Sequence, residues 1–155
     1  MGQFTSIDWL YLGIAAGLLL LAAVFSAAEI GILAANRFRV HQLAEDGSRR
    51  ARLLQRLLEH PSRMLSVILI LITAINYSNE SIATYWLHAL RGLPEWIPFA
   101  ALLALVLIFA EVTPISYAAA NPEAVATGLA PLIDAATRFL HPLVSAFATS
   151  LRLFP

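Results

Sequence analysis

The 155-residue sequence contains no cysteine and no lysine. Without thiols there are no disulfides, no thiolate metal centres and no cysteine nucleophile, and the redox compartment leaves no mark on the chain. Charge is scarce: 13 % of residues are charged against 59 % apolar, with ten cations balancing ten acids. No H-E-x-x-H, G-x-S-x-G or phosphate-cradling glycine loop occurs, and His41, His60, His88 and His141 all fall outside the deep apolar runs. Hydrolase, metalloprotease and P-loop chemistries therefore lack their residues, and the chain reads as a non-enzyme. Internal repeats and low-complexity segments are also missing.

What the sequence has in quantity is hydrocarbon. The run from Trp9 to Ala28 carries no charge for twenty residues, and a helix of that length spans roughly 30 Å, the apolar thickness of a bilayer. Residues 64–90 hold one charge, Glu80, and residues 96–122 hold one, Glu111. Three spans are expected, over about 7–36, 62–88 and 98–120. A cleaved signal peptide would need a basic leading region, whereas the first cation is Arg37. The expected fold class is an all-α membrane protein with three transmembrane helices, a cytoplasmic juxtamembrane helical hairpin over about 37–60 and a C-terminal amphipathic interfacial helix over about 122–150. Residues 1–155 are expected to form a single transmembrane domain with no soluble one.

Seven of the ten arginines (Arg37, Arg39, Arg49, Arg50, Arg52, Arg56, Arg63) lie between the first two spans. By the positive-inside rule that segment is cytoplasmic, which puts the N-terminus outside and the C-terminus inside a multi-pass protein of the cell's inner or plasma membrane. Placed beside a span and without a recognition motif, these arginines read as a topology signal facing lipid headgroups, with no nucleic-acid partner. Trp9, Tyr11, Trp86 and Trp96 are placed as interfacial aromatics, and Gly13 and Gly17, four apart, permit close helix contact. Gly47 ends one short helix, Ser48 caps the next, and Leu53, Leu54, Leu57 and Leu58 form its apolar stripe. Gly92, Pro94 and Pro98 break the chain between the second and third spans. "NPEAVA" opens the last helix, whose Glu123, Thr127, Asp134, Arg138 and His141 oppose Val125, Leu129, Leu132, Ile133, Ala136 and Phe139.

Three acids fall in or near the spans: Glu29, Glu80 and Glu111. A carboxylate at that depth costs a few kcal/mol and needs a partner or a wet cavity. Ser26 and Glu29 are one turn apart; Thr73, Asn76, Asn79 and Glu80 recur at three and four; Glu111 precedes Pro114 by three. Lining one cavity, Ser26, Glu29, Asn76, Asn79, Glu80 and Glu111 offer hydroxyl, amide and carboxylate oxygens, the donor set of a hard cation such as Mg²⁺. The plainer readings are snorkelling acids and interhelical hydrogen bonds of about 1 kcal/mol each. Pro114 has no N–H for the carbonyl of Ala110 and is expected to kink the span at the site.

In order along the chain, "FSAAE", "NRFRVHQLAEDGSRRARLLQRLLEHPSRML", the second span with Asn76, and "AEVTPISYAAANPEAVA" resemble the transmembrane module of the CorC and cyclin M (CNNM) magnesium transporters. The lysine that usually follows the proline is Ile115 here, and of a usual G-N-T-x-x-N "LITAIN" keeps Thr73 and Asn76. The resemblance implies a homodimer of three-span subunits that holds a dehydrated Mg²⁺ in an inward-facing cavity and exports it, coupled to Na⁺. Its motifs carry over at Ser26, Glu29, Asn76, Glu111 and Pro114, with Ser26 and Asn76 as direct ligands and the two glutamates supplying field; Asn79 and Glu80 enter from helical spacing alone. Family members usually continue into cytoplasmic CBS domains that bind ATP, which this chain lacks, so an isolated membrane domain is expected. The rival functions are an H⁺- or Na⁺-coupled carrier of another cation and a non-transporting membrane anchor or dimerisation scaffold.

Overall fold

The computed structural model describes the backbone of residues 6–89, 94 and 96–151, and side chains for 9–82, 84, 94, 96–97 and 99–140. All regular structure among the described residues is helical: α1 (Ser6–Ala34), α2 (Arg37–Glu45), α3 (Arg49–Leu58), α4 (Pro61–Ala89), α5 (Trp96–Val106), α6 (Thr113–Ala120) and α7 (Pro122–Leu151), with a π-helical stretch, Leu107–Val112, joining α5 to α6. Trp9–Ala34, Pro61–Ile82 and Phe99–Ala120 are long and apolar enough to cross a bilayer. The protein is an all-α, multi-pass membrane protein.

The helix boundaries follow from local chemistry. Asn36 sits in an extended conformation with its side-chain oxygen accepting from the backbone N–H of Phe38 at 2.9 Å, so it caps α2. This capping stops the first span at Ala34, two residues short of the expected end, because an asparagine that bonds its neighbour's amide opposes helix continuation. Gly47 adopts φ +94°, a left-handed conformation that suits glycine, and the N–H of Ser48 then reaches back to the carbonyl of Leu43 at 3.1 Å. Ser48 in turn accepts from Ala51 N–H at 3.3 Å and caps α3, as the spacing predicts. Pro61 and Pro122 occupy the first positions of α4 and α7, where a missing N–H costs nothing. Pro98, expected as a breaker, lies inside the first turn of α5 for the same reason. Gly92 and the side chain of Trp86 lie outside the described residues.

Packing divides the molecule in two. At the arginine-rich end, Ala28 and Ile32 of α1, Val40 of α2, Leu54 and Leu57 of α3, Met64 and Ile68 of α4, and Ala126, Ala130 and Ile133 of α7 form one buried core. Deeper in the spans a smaller core joins Ala22 and Phe25 of α1, Ile75 of α4 and Ala110 of the π-helical stretch. The close backbone approach is made at Gly31, where an added Cβ would lie 3.0 Å from Val125 Cγ1 and 3.3 Å from the Ala126 nitrogen. Gly13 and Gly17, expected at a helix contact, have nothing within 4 Å of an added Cβ. A four-residue glycine spacing permits contact without supplying a partner, and in this chain α7 packs on α1 at Gly31, about four turns nearer its end.

The last helix also departs from its two-faced expectation. Ala126, Ala130 and Ile133 point into the core, Glu123, Thr127 and Asp134 are half-buried along a polar edge, and Leu132 and Phe139 are exposed instead of joining the core. A helix in the membrane interface meets protein, water and hydrocarbon at once, and three environments need three strips. His141 lies outside the described side chains.

Candidate functional site

Ser26 is the one buried polar side chain among the described residues, 8 % exposed, between Phe25 of the deeper core and Ala28 of the inner one. Its hydroxyl has no hydrogen-bond partner among them, although Ser66, Ser78, Ser81, Thr84, Thr127 and Thr137 all bond the carbonyl four residues back. An orphaned buried hydroxyl costs about 1–3 kcal/mol, so the position asks for an oxygen-seeking occupant. Glu29, one turn toward the arginine-rich end, is half-buried and joins no ion pair among the described residues.

The third span is distorted where its acid sits. Glu111 lies within the π-helical stretch, whose wide turn is closed by the Thr113 N–H donating to the carbonyl of Ile108, five residues back. Pro114 follows at once and has no N–H to offer Ala110, so the kink anticipated from the sequence is realised as a change of helical register. Glu111 and Pro114 are half-buried, and Ala110 beside them is closed into the deeper core with Phe25 and Ile75. Ser26, Asn76 and Glu111 are each the immediate sequence neighbour of a member of that core, so three helices bring the three residues to one level.

α4 contributes differently from the way one shared cavity would have it. Met64, Val67, Ile68 and Ile75 turn inward and are buried, while Thr73, Asn76, Tyr77, Glu80 and Thr84 fall on the opposite side and are all exposed. Asn79 lies between the two strips and is half-buried. The chain thus brings Ser26, Glu29 and Glu111 to its interior or its edge, and turns Asn76 and Glu80 outward. A polar outward stripe at membrane depth is costly against lipid. Sequence spacing groups Thr73, Asn76, Asn79 and Glu80 on one face; Asn79 leaves that strip, and spacing does not say which side of α4 the chain's own core takes.

An open groove of about 590 Å³ lies at the arginine-rich end, between α2 and the corner of α6 and α7, lined among others by Arg39, Gln42, Asp46, Asn121, Glu123 and Thr127. Arg39 reaches Glu123 at 3.8 Å across it, and none of its lining residues belongs to the six expected at the site. Among the described residues no three His, Asp or Glu side chains converge as a metal cluster. The orphaned serine and the π-helical turn are the features that sequence reasoning left unresolved; Pro114 was the one signal for the second.

Comparison with known proteins agrees with this architecture. A UPF0053 protein of Haemophilus influenzae is 35 % identical over 127 residues, covering 81 % of this chain and 30 % of that protein. The UPF0053 inner membrane protein YfjD of Escherichia coli is 34 % identical over 125 residues, covering 80 % and 29 %. A polyamine export protein of Haemophilus influenzae is 28 % identical over 151 residues, covering 88 % and 35 %. The chain spans about a third of the length of these curated relatives. Residues 13–155 match the cyclin M transmembrane N-terminal domain, and with its three apolar helices and the interrupted third span the chain belongs to the CNNM family.

Proposed function

We propose that this domain moves Mg²⁺ across the inner membrane, outward and coupled to Na⁺, through a polar site at the level of Ser26, Asn76 and Glu111. The observation that carries the reading is the buried hydroxyl of Ser26, without a partner among the described residues, next to a third span whose helical register opens at Glu111. Mg²⁺ takes oxygen ligands in near-octahedral geometry and gives up water reluctantly. The Ser26 hydroxyl replaces part of that water without adding charge, and Asn76, turned away from the chain's own core, adds its amide where a second copy covers that face of α4. Glu29 and Glu111 attract the cation from the arginine-rich side, taken as cytoplasmic by the positive-inside rule, while Asn79 and Glu80 extend the polar stripe of α4 outward. The exposed stripe of α4 suits a homodimer, in which a second copy covers polar atoms that lipid would not solvate. Pro114 holds the distortion in place.

The polyamine export protein favours a second reading, in which the same acids accept an organic polycation. Reconstitution into liposomes with an entrapped Mg²⁺-sensitive dye tests the first. A Na⁺ gradient should drive Mg²⁺ flux in the wild type, and Asn76→Ala should reduce it about tenfold or more, the loss of roughly one charge-assisted contact. Spermidine flux without Mg²⁺ flux supports the second reading. Flux of neither leaves a membrane anchor.

A further inference from the structure

The cytoplasmic hairpin carries a charge surplus that neither the fold nor the ion site uses. Residues 37–63 hold seven arginines against Glu45, Asp46 and Glu59. On α3, Ala51, Leu54 and Leu57 are buried against α7 and the start of α4. Arg49, Arg52 and Arg56, spaced three and four apart, lie on the directly opposite face and are exposed. Because the buried stripe is part of the inner core, α3 is unable to roll, and the arginine stripe has a fixed direction.

The cations are also unspent. Among the described residues the ion pairs are Arg39 with Glu123, His41 with Glu45 and Arg138 with Asp134. Arg49, Arg50, Arg56 and Arg63 enter none, and Arg52 donates one N–H to the carbonyl of Gly47 at 3.2 Å, which braces it against the hairpin turn. Arg56 precedes the first residue of a membrane-crossing helix, Pro61, by five positions, and Arg63 follows it by two. The stripe therefore runs up to the membrane boundary, within reach of headgroup phosphates and inside the distance over which salt leaves surface charge effective.

We propose that Arg49, Arg52 and Arg56, joined by Arg63 at the start of α4, form a binding surface for anionic lipid headgroups of the cytoplasmic leaflet. Guanidinium suits that partner. It presents a planar fork of donors to two phosphate oxygens, and it keeps its charge beside hydrocarbon where an ammonium would titrate. The docked lipid pins α3, and through Leu54 and Leu57 it steadies α7 and the inner end of α1, where the core of this half is built. The surface is independent of the ion site.

The test is the melting temperature of the purified chain in zwitterionic detergent, titrated with phosphatidylglycerol or with phosphatidylcholine. Phosphatidylglycerol should raise the melting point by about 2–4 °C over phosphatidylcholine, and 0.5 M NaCl should remove most of the difference. The triple variant Arg49→Gln, Arg52→Gln, Arg56→Gln should lose the difference while melting as the wild type does in phosphatidylcholine, and the triple Arg→Lys variant should keep most of it. An undiminished difference in the glutamine variant overturns the proposal. So does an equal shift from inorganic phosphate, which would mark a soluble-anion site, or a shift from poly-glutamate where the lipid gives none, which would mark an acidic protein partner. If the glutamine variant is destabilised in both lipids alike, the arginines are structural and the proposal falls.

Discussion

The two ends of this molecule solve different problems with the same helices. At the arginine-rich end five helices close a core of ten buried residues, whose boundaries are fixed by caps, a left-handed glycine and prolines at first turns. Across the outer part of the spans the core shrinks to Ala22, Phe25, Ile75 and Ala110, and side chains such as Leu20, Phe99 and Leu103 are exposed to what would be lipid. Hydrocarbon solvates those side chains as well as protein does, so the outer half is under no hydrophobic pressure to close on itself. That freedom is what allows a register change at Glu111.

The contrast predicts unequal responses to the same kind of substitution. Leu54→Ala in the inner core should lower the unfolding free energy by about 2–5 kcal/mol, whereas Leu103→Ala, on the exposed side of α5, should stay within about 0.5 kcal/mol in detergent denaturation. Equal losses would dissolve the division into two halves. Gly31→Val should cost about 1–3 kcal/mol, because Val125 and the backbone of Ala126 have little room to yield, while Gly17→Val should cost the subunit nothing comparable. Asn36→Ala removes the cap between the first span and α2, and a loss of about 1 kcal/mol is expected in the same assay. The smallest effect belongs to the site: Ser26→Ala should leave stability in the absence of Mg²⁺ unchanged or slightly raised, since it removes a hydroxyl that no group among the described residues satisfies.

Much of the inner half is legible in the sequence because its signals are local. Gly47, Ser48, Pro61 and Pro122 each act on the backbone within a turn, and each sits where composition places it. The apolar lengths announce three spans for the same reason: burying backbone in lipid requires an unbroken helix of fixed length. What escaped was relational. Gly13 and Gly17 have the spacing of a contact, but the contact belongs to Gly31, whose neighbour is nearly a hundred residues away at Val125. The polar strip of α4 was found as a strip, yet helical spacing alone does not decide whether it turns toward Ser26 or away from it. Pro114 signalled a fault in the third span, and whether proline yields a kink or a wide turn depends on packing around Ala110.

The central claim is that Ser26 is kept unpaired for a cation, and a Mg²⁺ titration of the melting temperature, run on the wild type and on Ser26→Ala with Ca²⁺ and Na⁺ as controls, tests it most directly. A site specific for Mg²⁺ should stabilise the wild type by about 2.7 kcal/mol at a hundredfold excess over its dissociation constant, and Ser26→Ala should lose most of that gain with its metal-free melting point intact. A Mg²⁺-dependent rise of equal size in the alanine variant, or no rise in the wild type at millimolar Mg²⁺, would contradict it.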